Sequence, residues 1–425
     1  MINKVGRDIP DVFLKNKEVY QGPYASDGQL VKKDAPTIKT AVKPVASKVV
    51  ESLKSAILQS GLKDGMTISF HHHFRNGDYV CNMVMEVIHD LGIKDLMVCA
   101  SSLGKAQNYL ELCIEDGTVT GISTSGVRDG IGQAISEGKL KNPAYIRSHG
   151  GRVRAIESGD VHIDVAFIGA PTSDVLGNAR GVGGKSDCGV LSYAVVDSQY
   201  ADKVIVVTDT LVATPNYPAS IQGINVDYVC VVDQIGDPKK IATGIIRLTQ
   251  DPRELAMAEN AAKCMYYSGF FNEGFTFQTG GGGAALAVTR FLKPLLDEKQ
   301  IKLGWVFGGI TEPIVDLMKE GYVDHLLDAQ AFDTASIASV KNDPGHHEVS
   351  TSDYANPLNK GAFVNQLDFV LLGALEIDVN YNVNVILGSD GLIQGAPGGH
   401  VDTAAGAKVT IIIAPLIRSR ISTIR

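Results

Sequence analysis

Glycine stands wherever this sequence offers a place for chemistry. Gly280–Gly283 follow a short alternating run, Phe275–Thr279, and precede an apolar-periodic segment, Ala284–Leu296, with Pro294 near its end. That order reads as strand, glycine loop, helix. N–H groups at a helix N-terminus lie at the positive end of the helix dipole, and glycine lets a ligand come close to them. Such a loop can hold a phosphate, a carboxylate or the oxyanion of an acyl-transfer intermediate. Tight strand–helix packing without any ligand is the alternative open at this point. A second pair, Gly308–Gly309, ends the strand predicted at Leu303–Phe307, and a third pair, Gly398–Gly399, follows Pro397.

Polar candidates cluster in the first half. His71, His72 and His73 end the strand predicted at Met66–Phe70. In extended chain His71 and His73 face away from His72, so the three cannot readily share one ion. No carboxylate or cysteine beside them completes a ligand set. A polar strand-end cluster facing a cleft is the better reading, and no metal site is expected. Arg75 and Asn76, ahead of the helix predicted at Asp78–Leu91, suit an anionic substrate; a solvated surface arginine is the competing account. Two small-residue-rich stretches, 121–132 and 147–160, read as loops and carry Arg128, Arg147, His149, Arg152 and Arg154. Arginine suits paired recognition of carboxylates, although a loop-borne surface patch is equally open. Lys185 lies in GVGGKSDCG (181–189), which is not a G-x-x-x-x-G-K-[ST] phosphate loop but could place a cation on a carrier phosphate or a carboxylate.

The elements that must position these residues are buried strands alternating with helices. Val161–Gly169, Lys203–Thr208 and Val226–Val232 are near-continuous apolar runs, and Val45–Ser60 reads as a helix capped by Gly61. Runs of this kind belong to largely parallel sheets with helices on both faces. A chain of 425 residues is long for one core, so about two domains are expected. A hydrophobic fraction of 44% with 20% charged residues is that of a soluble globular protein. The formal charge of −8 argues against a nucleic-acid partner. Six scattered cysteines form no C-x-x-C pair, which points to a reducing cytoplasm. The polar Met1–Pro10 is no signal peptide, and no apolar run reaches the roughly 18 residues of a membrane span. Residues 1–45, broken by prolines, read as an arm over the core or a neighbouring subunit.

The second half repeats the first. Asp164-Val-Ala-Phe-Ile-Gly-Ala matches Asp368-Phe-Val-Leu-Leu-Gly-Ala at an offset of 204, and the same offset pairs Asp174 with Asp378 and Asn178 with Asn382. GMTISFHHHF (65–74) likewise parallels GFTFQTGGGG (274–283). Two similar α/β units are therefore expected, 46–245 and 246–425, with a ligand cleft between them.

These features resemble the CoA-transferase superfamily from about residue 46 onward. The resemblance rests on DVAFIGAPTSDVLGNA (164–179), FQTGGGGAAL (277–286), VDLMKEGYVD (315–324), Ala331-Phe332-Asp333, LDFVLLGALEIDVNYNVNV (367–385) and GAPGGHVDTAAGAKV (395–409). It implies two homologous open, mostly parallel sheets, with the 395–409 loop at the acyl-transfer site. Common members place a nucleophilic glutamate where this sequence, in register with Val315-Asp316-Leu317, has Gly308. Glu312 lies four residues on, at the start of a helix, where complementing the helix dipole is its simpler role.

Without that nucleophile, the substrate carboxylate itself would attack the acyl thioester. The branch that works so is similar to SFHHHFRNGD, SHGGRVRAIESGD and GVGGKSDCG here: the alpha subunits of citrate lyase. This resemblance implies exchange of acetate for citrate on the CoA-like prosthetic group of a small acyl-carrier (gamma) subunit. A beta subunit would then cleave the citryl thioester. It further implies a homo-oligomeric enzyme without a tightly bound cofactor of its own. Gly280, Gly281, Gly308, Gly309, Gly398 and Gly399 would form the reaction floor. His71–Asn76, Arg128 and Lys185 would recruit carboxylates or carrier phosphates. Family members continue past IRSRISTIR, so either a terminal segment is absent from this sequence or this member is short. A CoA-transferase or acyl-CoA hydrolase using Glu312, a citramalate-specific relative, a sugar-phosphate-binding protein and a scaffold for partner subunits are the competing readings.

Overall fold

The computed structural model describes residues 1–2, 8–14, 19, 46–241, 249–281 and 283–417. The arm expected over 1–45 thus falls almost wholly outside the described residues, as does most of the junction expected near 245. In chain order the first half contributes β1 (Val49–Val50), β2 (Thr67–Phe70), β3 (Leu96–Ala100), β4 (Val119–Thr124), β5 (Tyr145–Ile146), β6 (Val165–Gly169), β7 (Thr172–Ser173), β8 (Ala179–Arg180), β9 (Lys203–Thr208) and β10 (Tyr228–Val231). The second half contributes β11 (Phe275–Thr279), β12 (Leu303–Ile310), β13 (Val323–Ala331), β14 (His346–Glu348), β15 (Phe369–Gly373), β16 (Glu376–Ile377), β17 (Val383–Asn384) and β18 (Val409–Ile413).

Two large sheets result. The first has the order β1-β10-β9-β6-β2-β3-β4-β5 and the second β14-β13-β12-β11-β15-β18. Every pairing within them is parallel. Read from β14, the second sheet repeats the first from β5 to β9 strand for strand. The repeat reaches single hydrogen bonds. Asp164 Oδ2 accepts the Thr67 N–H at 2.7 Å, and Asp368 Oδ2 accepts the Thr276 N–H at 2.9 Å. Asp174 binds both the backbone and side-chain N–H of Asn178 in the β7–β8 hairpin, and Asp378 does the same with Asn382 in β16–β17.

Burial explains the strands. Val165–Gly169 is buried at every position, because helices cover both faces of a parallel sheet. Helix Val80–Asp90 turns Val80, Cys81, Val84, Met85 and Ile88 inward at helical spacing. One continuous core surrounds the first sheet and includes Ala331 and Ile337 from the second half, so the halves share packing.

Three local expectations change. The helix expected at Val45–Ser60 begins only at Leu53, where the Ser52 side chain caps it; Val49–Val50 ahead of it join β10 as an edge strand. The stretch 121–132 is not a loop but the end of β4 followed by helix Asp129–Ser136. The stretch 147–160 is mostly helix His149–Glu157, capped by Ser148. Glycine in its first turn hid that helix from propensity reasoning. Gly150 is there because a Cβ would stand 1.9 Å from the Ala355 carbonyl oxygen of the other half. Finally, β12 continues to Ile310, through a register shift at Gly308/Gly309, rather than ending at Phe307.

Candidate active site

Parallel sheets leave loops at the carboxyl ends of their strands, and ligands collect there. Ends of β2, β3 and β4 from one half and of β11, β12 and β13 from the other meet around two adjoining cavities of ≈ 230 and ≈ 280 Å³. His149, Gly281, Gln330 and Phe332 line both, so the two are lobes of one site.

The first lobe is basic. Arg75 and Arg128 line it, and neither guanidinium meets a carboxylate among the described residues. The Arg128 Nε is buried without a partner. Arg75 lies over the Phe332 ring at 4.5 Å. Burial and the neighbouring Arg128 charge lower the Arg75 pKa to about 10, so it stays protonated at neutral pH. His72 stands between them and the second lobe. Its Nδ1 lies 2.6 Å from the Ser101 hydroxyl, which also accepts the His72 backbone N–H at 3.0 Å. In the tautomer in which the Ser101 O–H donates to Nδ1, the ring hydrogen sits on Nε2. Burial first, then the charges of His149 and Arg75, hold the His72 pKa well below its usual value. Burial, followed by Arg152, likewise drops His149 to about 3. Both rings are neutral donors at pH 7.

The second lobe is walled by backbone. Gly308 has φ +99°, and a Cβ on it would lie 2.7 Å from the Gln278 carboxamide carbon. Gln278 is held there by Tyr354, whose hydroxyl exchanges hydrogen bonds with Nε2 at 3.1 Å and Oε1 at 3.3 Å. The N–H groups of Gly280 and Gly398 are engaged by Leu371 O at 2.7 Å and Ser125 O at 3.1 Å. They fix the floor rather than offering donors, which corrects the expectation for those two residues. Gly281 and Gly399 meet no acceptor among the described residues and remain available.

Among the described residues no Asp or Glu lines either lobe. Carboxylates instead work behind it. Asp197, on helix Ser192–Tyr200, takes both Arg152 guanidinium nitrogens at 2.9 and 2.6 Å and the His71 Nε2–H at 2.9 Å. Burial alone would raise the Asp197 carboxyl, but Arg152 and His71 hold it well below the ordinary range. Asp402, from helix His400–Gly406, accepts from Ser148 Oγ at 2.5 Å and the Gly150 N–H at 2.9 Å. It so caps the helix of the other half and completes a seam that includes the His149 N–H to Gly398 O bond of 2.8 Å.

Several expected residues fall elsewhere. His71 and His73 point away from the site, to Asp197 and to Gly169 O. Lys185 is exposed and lines neither lobe. Arg147 reaches Ser123, Arg154 pairs with Asp160 on the surface, and Arg152 is wholly buried. Glu312 is exposed in the first turn of its helix, with its N–H on Asp333. His72, Arg75, Asn76, Arg128 and all six glycines, Gly280, Gly281, Gly308, Gly309, Gly398 and Gly399, do converge. Tyr193, Gln278, Gln330 and Tyr354 complete the walls, and nothing in their local sequence marked them. Among the described residues one cluster, His162, Asp164 and Asp202, has metal-ligand spacing, but it sits at the amino ends of β6 and β9, away from the site. A larger hollow of ≈ 1040 Å³ beside β16–β17 is lined by Glu376, Asp378 and Asp390 and, among the described residues, by no cation.

The family model for the citrate lyase alpha subunit matches residues 46–425. The citrate lyase alpha chain of Klebsiella pneumoniae is 51% identical over 374 residues, which is 88% of this chain and 74% of that one. The Haemophilus influenzae chain of the same name is 50% identical over 377 residues, 89% of this chain and 75% of that one. A solved Streptococcus mutans chain, assigned as a citrate lyase alpha subunit and crystallised with citrate, superposes with a TM-score of 0.90. It has 51% identity and covers 99% of this chain and 82% of its own. The alpha subunit of an Acinetobacter baumannii malonate decarboxylase shares the fold at a TM-score of 0.65 and 15% identity, over 85% of this chain and 66% of its own.

Proposed function

The chain belongs to the citrate lyase alpha-subunit family, and from that premise we propose that it exchanges acetate for citrate on a carrier thiol by direct attack, without an acyl-enzyme. Gly308 carries this reading. At the position where CoA-transferases of the commoner kind hold a glutamate, the backbone is left-handed and the space beyond it is filled by Gln278. With no carboxylate in either lobe, the acid in the basic lobe is the nucleophile at hand.

The steps balance without a general base. A citrate carboxylate oxygen adds to the acetyl thioester carbonyl, the C–S bond breaks, and a mixed acetyl–citryl anhydride and the carrier thiolate result. The thiolate then adds to the citryl carbonyl and the C–O bond to acetate breaks. A carboxylate enters and a carboxylate leaves, so no proton is exchanged overall. Neutral donors are what such a path needs: the N–H groups of Gly281 and Gly399 and the His72 Nε2–H face developing oxyanions. A well-placed donor contributes about 3 kcal/mol. Arg75 and Arg128 hold the acid beside the thioester, which is a gain of orientation. The thiol arrives on the CoA-like group of an acyl-carrier (gamma) subunit, and the citryl thioester passes to a beta subunit, within a homo-oligomeric cytoplasmic complex. The chain brings no cofactor of its own to these steps.

The test mixes the protein with acetylated carrier and citrate and follows the carrier by mass spectrometry, with hydroxylamine present during turnover. Citryl carrier forms and no hydroxamate appears on the protein. A hydroxamate on Glu312 or any other acidic residue would return the protein to the acyl-enzyme class.

A further inference from the structure

The basic lobe holds two cations and no anion. Three other arginines of the described chain pair with aspartates, Arg152 with Asp197, Arg154 with Asp160 and Arg253 with Asp251, while Arg147 bonds Ser123. Arg75 and Arg128 line one cavity, whose other polar side chains are serines, amides and the neutral His72 and His149. Burial first, and then the Arg128 charge, lower the Arg75 pKa. Arg75 also adopts φ +52°, a conformation that an L side chain adopts at some cost and glycine would adopt freely. An unpaired, partly desolvated guanidinium is stabilised only when its ligand brings the missing charge.

We infer that the paired guanidiniums of Arg75 and Arg128 select a tricarboxylate over a dicarboxylate by counting charge. The inference rests on the reading that this lobe holds the attacking acid. Two carboxylates of citrate neutralise the two arginines, and the third, left without a cation, keeps its nucleophilicity and faces the second lobe. Citramalate carries the same tertiary alcohol and the attacking arm, but a methyl group replaces one acetate arm. One guanidinium then faces that methyl and stays partly desolvated and unpaired. A site whose polar group loses its partner rejects the analogue strongly, whereas a missing methylene alone costs little. Recognition of the hydroxyl would give the opposite ranking for tricarballylate, which has three carboxylates and no alcohol.

The experiment measures binding of citrate, tricarballylate and citramalate to the intact chain by calorimetry, and their exchange with acetylated carrier. Citrate and tricarballylate are expected to bind within about tenfold of each other, and citramalate at least about 100-fold more weakly. In Arg75→Gly, which suits the left-handed backbone and keeps the fold, the preference for citrate over citramalate falls below about tenfold. Arg128→Gln does the same, with the unfolding midpoint recorded for both. Citramalate within threefold of citrate, or below citrate by as much as tricarballylate is, overturns the inference. So does an unchanged ratio in folded Arg75→Gly. Equal exchange of both acids would defeat charge counting and leave direct transfer standing. The expected binding order with no exchange of either acid would defeat direct transfer and leave the selectivity standing.

Discussion

Substituting Gly308 puts the carrying observation to the test. A Cβ at this position meets two costs. The left-handed backbone costs about 1–2 kcal/mol for any L side chain. Displacing Gln278, whose carboxamide atoms lie 2.7–2.9 Å from the added carbon, costs about 1–3 kcal/mol as overpacking. Gly308→Ala should therefore destabilise the protein by about 2–5 kcal/mol. Gln278→Ala alone leaves the buried Tyr354 hydroxyl without its partner and costs about 1–3 kcal/mol. The double variant should be less destabilised than the sum, because only the backbone cost of Gly308→Ala survives once the carboxamide is gone. The coupling is about 1–3 kcal/mol. Urea unfolding followed by fluorescence reads it directly, since the chain has one tryptophan, Trp305, on the same strand as Gly308. A Gly308→Ala cost below about 0.5 kcal/mol, or strict additivity, would show that a side chain fits and that the vacancy is accidental. Gly308→Glu, made beside Gln278→Ala, should still form no hydroxamate with hydroxylamine.

Three further outcomes follow from the same geometry. Exchange should be independent of pH from about 7 to 9, where citrate is fully ionised, because His149 titrates at about 3, His72 well below its usual value and Arg75 at about 10; a bell centred near pH 7 would restore a titrating acid–base pair. Stability should fall as pH drops below about 6.5, since the unfolded chain binds protons that buried His73 and half-buried His72 and His149 refuse. His73 and His149 each add a slope of up to about 1.4 kcal/mol per pH unit down to about pH 3, and His72 adds in the same direction, read from urea midpoints against pH. Asp197→Asn should cost about 3–5 kcal/mol, because it leaves Arg152 buried without a full counter-charge; a thermal shift of under two degrees would contradict that role.

The sequence by itself determined the architecture and the kind of site. Apolar runs such as Val165–Ile168 and Lys203–Thr208 can be satisfied only inside a covered parallel sheet, and the offset of 204 forces a second unit with the same order. Alternation along β2 was enough to separate His72 from His71 and His73. Tertiary structure decided what those positions do. Whether a glycine N–H is a donor or already engaged depends on strands far away, as Leu371 shows for Gly280 and Ser125 for Gly398. The five candidates Arg128, Arg147, His149, Arg152 and Arg154 looked alike in sequence, yet Asp197 claims Arg152 and Asp160 claims Arg154, leaving Arg128 to the cavity. Gln278 illustrates the limit best. Its role lies in standing where a side chain of Gly308 would be, and no local pattern encodes a contact across 30 residues of chain. Local periodicity fixes backbone paths, but the sign and reach of each polar group are set by whichever partner the fold brings beside it.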